Sequence, residues 1–298
     1  MVYLEKFILP DDEEEYRIAA ARRAENGGYL ENGYPCMLFP QKGLRELDFE
    51  PITILYGGNG SGKSTLLNLI ALRLALKRLS PFNSGELMAR YAERCRCREG
   101  VDDEGRPLAV PPQSRMITSD DVFEFMLAAR ASNDEIREDT EDGKGDFARL
   151  KYGKNIPLNS LDDYENFRLQ VLSRRKSVTR RQFLHAQIGR ELRLMSNGET
   201  ALSFFETHMA LDTLYCLDEP ENSLSPKMQL ALKELLTEKQ RYCGCQLIIA
   251  THSPFLLALS GAKIYELDAR PVDVKRWWEL ENARVYYEFF RENRALFE

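Results

Sequence analysis

The chain has 298 residues, 43% of them hydrophobic and 30% charged, with a formal net charge of −6. That length can bury a substantial core in one large domain or two ordinary ones. The charge balance argues against a protein coated in basic surface for nucleic acid, and no apolar run approaches the roughly 18 residues of a membrane span.

The start, Met1 to Tyr16, lacks the basic, apolar and small-residue pattern of a secretory signal, so a cytoplasmic location without membrane insertion is expected. In that compartment the six cysteines are expected to be mostly reduced thiols. Cys95/Cys97 and Cys243/Cys245 have C-x-C spacing and offer four thiolates to one zinc, but they lack the stronger C-x-x-C spacing and a neighbouring His. Plain unpaired thiols are the other reading of both pairs.

In chain order, Leu47 to Tyr56 ends in a β-branched, apolar run that reads as a buried strand. A glycine-rich loop follows, and then leucines and isoleucine at helical spacing continue to a stop at Pro81 and Asn83. Strand, glycine loop and helix in that order open an α/β nucleotide-binding fold. Residues 80–195 are more polar and charged and read as an inserted, mainly helical lobe, with a short strand, Arg115 to Thr118, returning to the core before a helix from Asp120 or Asp121. Within it, Arg174, Arg175, Lys176, Arg180, Arg181, Arg190 and Arg193 read as one basic helix, able to touch phosphates or simply solvated and paired with acids. From Leu214 onward strand-like LYCL, QLIIAT and AKIYEL alternate with helices after Pro226 and near Phe255, which implies further parallel strands. The final VYYEFFRENRALF reads as an amphipathic helix packed on the core by its aromatics. The expected division is 1–79 and 196–298 as two parts of one core, with 80–195 inserted between them.

Gly57, Gly58, Asn59, Gly60, Ser61, Gly62, Lys63 and Ser64 fit G-x-x-x-x-G-K-[ST] at every fixed position. Glycines let backbone amides converge on phosphate oxygens, and the following helix N-terminus adds partial positive charge. Lys63 is placed to reach β- and γ-phosphates, Ser64 to ligate Mg2+, and Thr65 to contact the α-phosphate. In LYCLDEP, four apolar residues deliver Asp218 and Glu219 to a strand end. Adjacent carboxylates there point to opposite sides. That suits Asp218 to hold Mg2+ through water and Glu219 to orient and polarise an attacking water.

GGNGSGKST, SNGE at Ser196 to Glu199, LDEPENSLSP and ATHSPF together resemble a stand-alone bacterial ABC-type ATPase. They are close to the AAA-labelled ATPases related to structural maintenance of chromosomes proteins and to those of defence and repair operons. The resemblance implies an α/β P-loop fold of ABC ATPase type, with a mainly parallel central sheet and an inserted, largely helical lobe. It implies ATP and Mg2+ as ligands, and a homodimer that buries two ATP molecules between one subunit's P-loop and the other's signature. In that reading Ser196 and Gly198 contact the γ-phosphate across the interface, although Ser196 also fits a helix N-cap. His252 is then the switch that senses the γ-phosphate.

Two features depart from the family pattern. Ser225 stands where relatives commonly carry His or Asp, and no clear Q-loop glutamine follows RMIT. Ser119 or Asp120 is expected to fill that place, since Gln113 falls early. Tyr34 is either an adenine-stacking aromatic or a core residue.

The expected function is ATP binding and hydrolysis that closes and opens a dimer, coupled to DNA or to a separately encoded effector protein. The chain lacks the length for a chromosome-type coiled coil. A transporter ATPase subunit expects a clear Q-loop glutamine. The 46 residues after His252 are too few for a fused nuclease; the alternatives are the ATPase subunit of a membrane transporter, or an ATP-binding regulatory module with a separate nuclease partner.

Overall fold

The computed structural model describes residues 1–25, 33–80, 82, 85–154, 164–174 and 197–298; the side chains of 132–148, 164–166 and 197 lie outside that description. The chain divides into two compact units, Met1–Phe123 with Ala201–Glu298, and Glu124–Thr200.

The first unit is built on a six-stranded sheet in the order β5-β6-β7-β3-β8-β9. Its strands are β3 (Ile52–Tyr56), β5 (Arg115–Thr118), β6 (Leu214–Asp218), β7 (Gln246–Ala250), β8 (Lys263–Glu266) and β9 (Asp273–Lys275). The first five pair in parallel, and β9 runs antiparallel at the edge. Every residue of β3 and β7 is buried. That is why ITILY and QLIIA read as continuous apolar runs rather than alternating ones: a parallel sheet is covered on both faces. Helix α2 (Lys63–Arg73) buries Leu66, Leu67, Leu69 and Ile70. Helix α7 (Pro226–Tyr242) starts at Pro226, whose fixed φ suits the first helical position, and buries Leu232 and Leu236.

A second, antiparallel sheet in the order β2-β1-β4 joins β1 (Leu4–Ile8), β2 (Glu46–Asp48) and β4 (Arg96–Glu99). Gln246, fully buried on β7, ties it to the main sheet: its Oε1 accepts from the Tyr3 and Leu4 amides at 2.8 and 2.9 Å, and its Nε2 donates to Leu4 O at 2.8 Å. Helices α1 (Asp12–Glu25) and α3 (Glu86–Arg94) are joined through Glu15, 1% exposed, which accepts from the Tyr91 hydroxyl at 2.5 Å. Burial pushes the Glu15 carboxyl up, against the hydrogen bonds from Tyr91 and from the Met37 amide.

Several expectations shift. The run 47–56 is two strands in two sheets, separated at Pro51. Helix α2 ends at Arg73, because Ala75 takes a left-handed φ of 51° and Lys77 leaves to bridge Arg115. Residues 86–118 carry α3, β4 and β5, whose strand partners β1 and β6 place them in the first unit rather than in the insertion. Helix α8 (Glu281–Glu292) forms as expected but buries only Ala283. Its Tyr287, Phe289 and Phe290 are more than half exposed, so the aromatics do not pack it on the core.

In the second unit, α4 (Ser119–Tyr152), which begins in the first, is followed by α5 (Tyr164–Arg174). Gln170 donates to Lys154 O at 2.8 Å and Arg174 to Gly153 O at 2.7 Å, so α5 satisfies carbonyls beyond the end of α4. Apart from Arg174, the expected basic helix lies outside the described residues. Among the described residues no helix is long and apolar enough to cross a membrane.

Candidate functional site

The sheet order decides where the chemistry gathers. Parallel β3, β7 and β6 are consecutive neighbours, so the segments leaving their carboxyl ends lie side by side. Leu55 is in register with Ala250, and Ala250 with Asp218. The P-loop after β3, the carboxylates ending β6 and the Thr251–His252 segment after β7 therefore meet in one crevice, the place where open α/β sheets bind ligands.

The loop needs its glycines. Gly62 sits at φ 101° as α2 begins, and a Cβ on Gly57 would stand 2.7 Å from Ser61 Oγ. Both positions exclude ordinary side chains. Ser61 Oγ is buried without a hydrogen-bond partner among the described residues. Lys63 is 5% exposed, and its Nζ donates to Gly57 O at 2.7 Å and Gly58 O at 3.1 Å. The same Nζ is 2.7 Å from His252 Nε2. Burial lowers the Lys63 ammonium's pKa, against the pull of Glu219 and Asp218. Burial and the Lys63 charge also lower that of His252.

Ser64 Oγ donates to Asp218 Oδ1 at 3.0 Å. These are two hard oxygen donors at one point, a donor set that fits Mg2+ better than softer metals. Burial first, and the nearby Glu219 charge, push the Asp218 carboxyl up to about 6, against the Ser64 hydrogen bond. Glu219 Oε1 lies 3.5 Å from His252 Nε2, and its Oε2 accepts from Asn222 at 3.0 Å. Glu219 holds φ at 47°, a left-handed value unusual for a non-glycine residue and concentrated at functional positions. Thr65 is buried, and its hydroxyl bonds that of Tyr34, which is 49% exposed. Tyr34 is thus a surface residue beside the loop's end rather than a core one.

Ser196 lies outside the described residues, and Gly198 belongs to the first turn of α6 (Asn197–His208), within the second unit. Gln113 reaches Asp212 O at 3.3 Å instead of the crevice. Where Ser119 or Asp120 was expected to matter, the fixed carboxylate is Asp121, 4% exposed: it accepts from the Thr118 amide at 2.7 Å and the Ser80 amide at 2.9 Å. The cysteines are all free, and among the described residues no group of three or more His, Cys, Asp or Glu could hold a metal.

Four further residues have no role that the sequence assigns. Asp268, beyond β8, accepts from the Gly58 amide. Arg78 donates to Asn68 at 2.6 Å, and Asn68 to Ser64 O at 2.7 Å. Glu221, 7% exposed, accepts from the segment after β7. Only the doubled acid of D-E-P-E could have drawn attention to Glu221.

The family described as "AAA domain, putative AbiEii toxin, Type IV TA system" matches residues 144–258, a stretch that includes Asp218, Glu219, Glu221 and His252 but not the P-loop. No protein of curated function matches. Among solved structures, the Smc head domain of Pyrococcus furiosus with an extended coiled coil, bound to the C-terminal domain of ScpA, is 14% identical, covers 83% of this chain and 95% of its own, and gives a TM-score of 0.37. The SMC head domain of Thermotoga maritima is 14% identical over 92% and 98%, with a TM-score of 0.37. A dimeric, post-hydrolysis ATP-binding cassette bound to ADP and Pi is 15% identical over 78% and 88%, with a TM-score of 0.34. On the family match over 144–258 and on its own strand, glycine loop and helix, the chain is similar to P-loop proteins of the AAA-domain family.

Proposed function

We propose that this chain binds ATP with Mg2+ and hydrolyses it within a homodimer that closes on ATP and opens after hydrolysis, coupled to DNA or to a separate effector protein. One observation carries the reading: Lys63, Ser64, Asp218, Glu219 and His252 converge from three adjacent strand ends, with contacts of 2.7, 3.0 and 3.5 Å. In it, the P-loop amides and Lys63 hold the phosphates, and Thr65 adds its hydroxyl. Ser64 and Asp218, the latter through water, hold Mg2+, which neutralises phosphate charge when bound. Glu219 accepts a proton from the attacking water, and its Asn222 hydrogen bond fixes the carboxylate's orientation. His252 lies within reach of both Lys63 and Glu219, a position suited to sensing the terminal phosphate. Ser196 and Gly198 act on the nucleotide of the partner subunit.

The test is the molar mass of Glu219→Gln by light scattering, with and without ATP and Mg2+, beside phosphate release by the unaltered chain. A monomer-to-dimer shift with ATP, together with phosphate release that Glu219→Gln abolishes, supports the reading. Turnover that survives Glu219→Gln removes that residue from the role of base. ATP binding without any shift removes the closing dimer.

A further inference from the structure

Glu221 has no role in the reading above, yet one of its oxygens accepts three hydrogen bonds beside the crevice. It lies two residues after Glu219 and is 7% exposed. A single oxygen, Oε1, accepts from the Thr251 hydroxyl, from the His252 amide at 2.9 Å and from the Ser253 amide at 3.1 Å. Two more rungs flank this one. Upstream, the Glu219 amide donates to Ala250 O at 2.9 Å. Downstream, the Ser253 hydroxyl donates to Gln229 Oε1 at 2.7 Å, and Gln229 Nε2 donates to Leu224 O at 2.9 Å. The segments 219–229 and 250–253 are thus bracketed together on both sides of His252.

Stability alone is a poor reason for this carboxylate. Its second oxygen, Oε2, is buried without a hydrogen-bond partner among the described residues, and a half-satisfied buried charge is usually inferior to a neutral group of the same shape. What the charge supplies is strength and direction in the three bonds it accepts. The turn it anchors is exposed at Asn222 and Ser223, and Ser223 holds a left-handed φ of 67°. Such backbone persists only where its surroundings fix it.

We propose that Glu221 is a positioning residue that makes the 219–225 turn and the His252 segment move as one body, so that a displacement of the exposed Asn222–Ser223 turn is delivered to the His252 imidazole. The proposal rests on the ATPase reading for its effect on turnover, but its mechanical half does not.

The experiment compares full-length Glu221→Ala, Glu221→Gln and Thr251→Val by amide hydrogen exchange, steady-state turnover and titration with a fluorescent ATP analogue. Glu221→Ala is expected to speed exchange of the His252 and Ser253 amides about tenfold or more while β3 and β6 stay protected. It is expected to lower kcat about tenfold with analogue affinity held within about threefold, and Glu221→Gln, which keeps an accepting oxygen, to restore most of both. Adding His252→Ala to Glu221→Ala should lower kcat no further than His252→Ala alone, because the two act through one group.

Unchanged exchange at 252–253 overturns the proposal. So does fast exchange with unaltered kcat in a chain that His252→Ala inactivates, and so do losses that multiply in the double variant. If Glu221→Ala unfolds, Thr251→Val decides, since it removes one rung and leaves the carboxylate in place. A chain with no turnover overturns the ATPase reading and the catalytic half of this inference together, while the exchange result still decides the bracket.

Discussion

Lys63 Nζ and His252 Nε2 lie 2.7 Å apart across the crevice, a contact between an ammonium donor and an imidazole that must be neutral at Nε2 to accept. Burial and the Lys63 charge depress the His252 pKa. A depressed folded-state value means that the unfolded chain binds the proton more readily. The contribution is therefore complete above the unfolded value of about 6.5 and is lost as pH falls through the folded one. The melting temperature of the unaltered chain, relative to that of His252→Gln, is expected to drop between pH 7.5 and pH 5. A difference that stays flat over that range would show that the contact does not form in solution.

Asp218 gives the opposite sign. Its carboxyl titrates near 6, above an ordinary aspartate, so folding retains a proton there and the stability it contributes declines as pH rises from about 4 towards 6. Metal binding must displace the same proton. The Mg2+ concentration needed to support ATP binding is expected to rise up to about tenfold per pH unit below 6, and this dependence is expected to vanish in Asp218→Asn. Titrations of Mg2+ at pH 5.5, 6.5 and 7.5 check it.

Replacing Lys63 by Ala removes the loop's buried cation and is expected to weaken ATP binding itself, at least tenfold, rather than turnover alone. If the signature acts across a dimer, mixing inactive Lys63→Ala and Ser196→Ala chains is expected to restore part of the turnover. No recovery in the mixture counts against action in trans.

The Gln246 side chain is fully buried and satisfies the Tyr3 and Leu4 amides and the Leu4 carbonyl. Gln246→Ala strands those groups and is expected to cost about 3 kcal/mol, read as a lower midpoint in urea. The crevice at the opposite end of β7 is expected to keep its affinity for ATP, on the proposed reading, where the variant remains folded.

The site was legible wherever one short segment carries its own chemistry. GGNGSGKS states a turn, a cation and a helix start within eight residues, and LYCLDEP puts a buried strand directly before its acids. The sheet was legible because its inner strands β3, β6 and β7 are dominated by apolar residues. Illegible were contacts whose partners are far apart in sequence. Gln246 reads as the polar first residue of a strand, yet it meets Tyr3, 243 positions away. Asp268 reads as a loop acid until β8 carries it beside Gly58. The final helix misled for a different reason: its aromatic spacing is helical, but spacing cannot say whether anything covers the face it creates.

The position of β3 sets the order in which this chain can fold. Its hydrogen-bonded neighbours, β7 and β8, begin about 190 and 210 residues later in the sequence. At usual synthesis rates that separation is roughly 10 to 40 s on the ribosome. Throughout that interval Ile52, Ile54 and Leu55 have no strand to pair with, so the loop that follows them can take its final shape only after Ala250 and Ile264 have been made. For a nascent chain, the segment that is most recognisable in the sequence is therefore among the last to become structured, and until then it is a sticky apolar stretch in need of shelter.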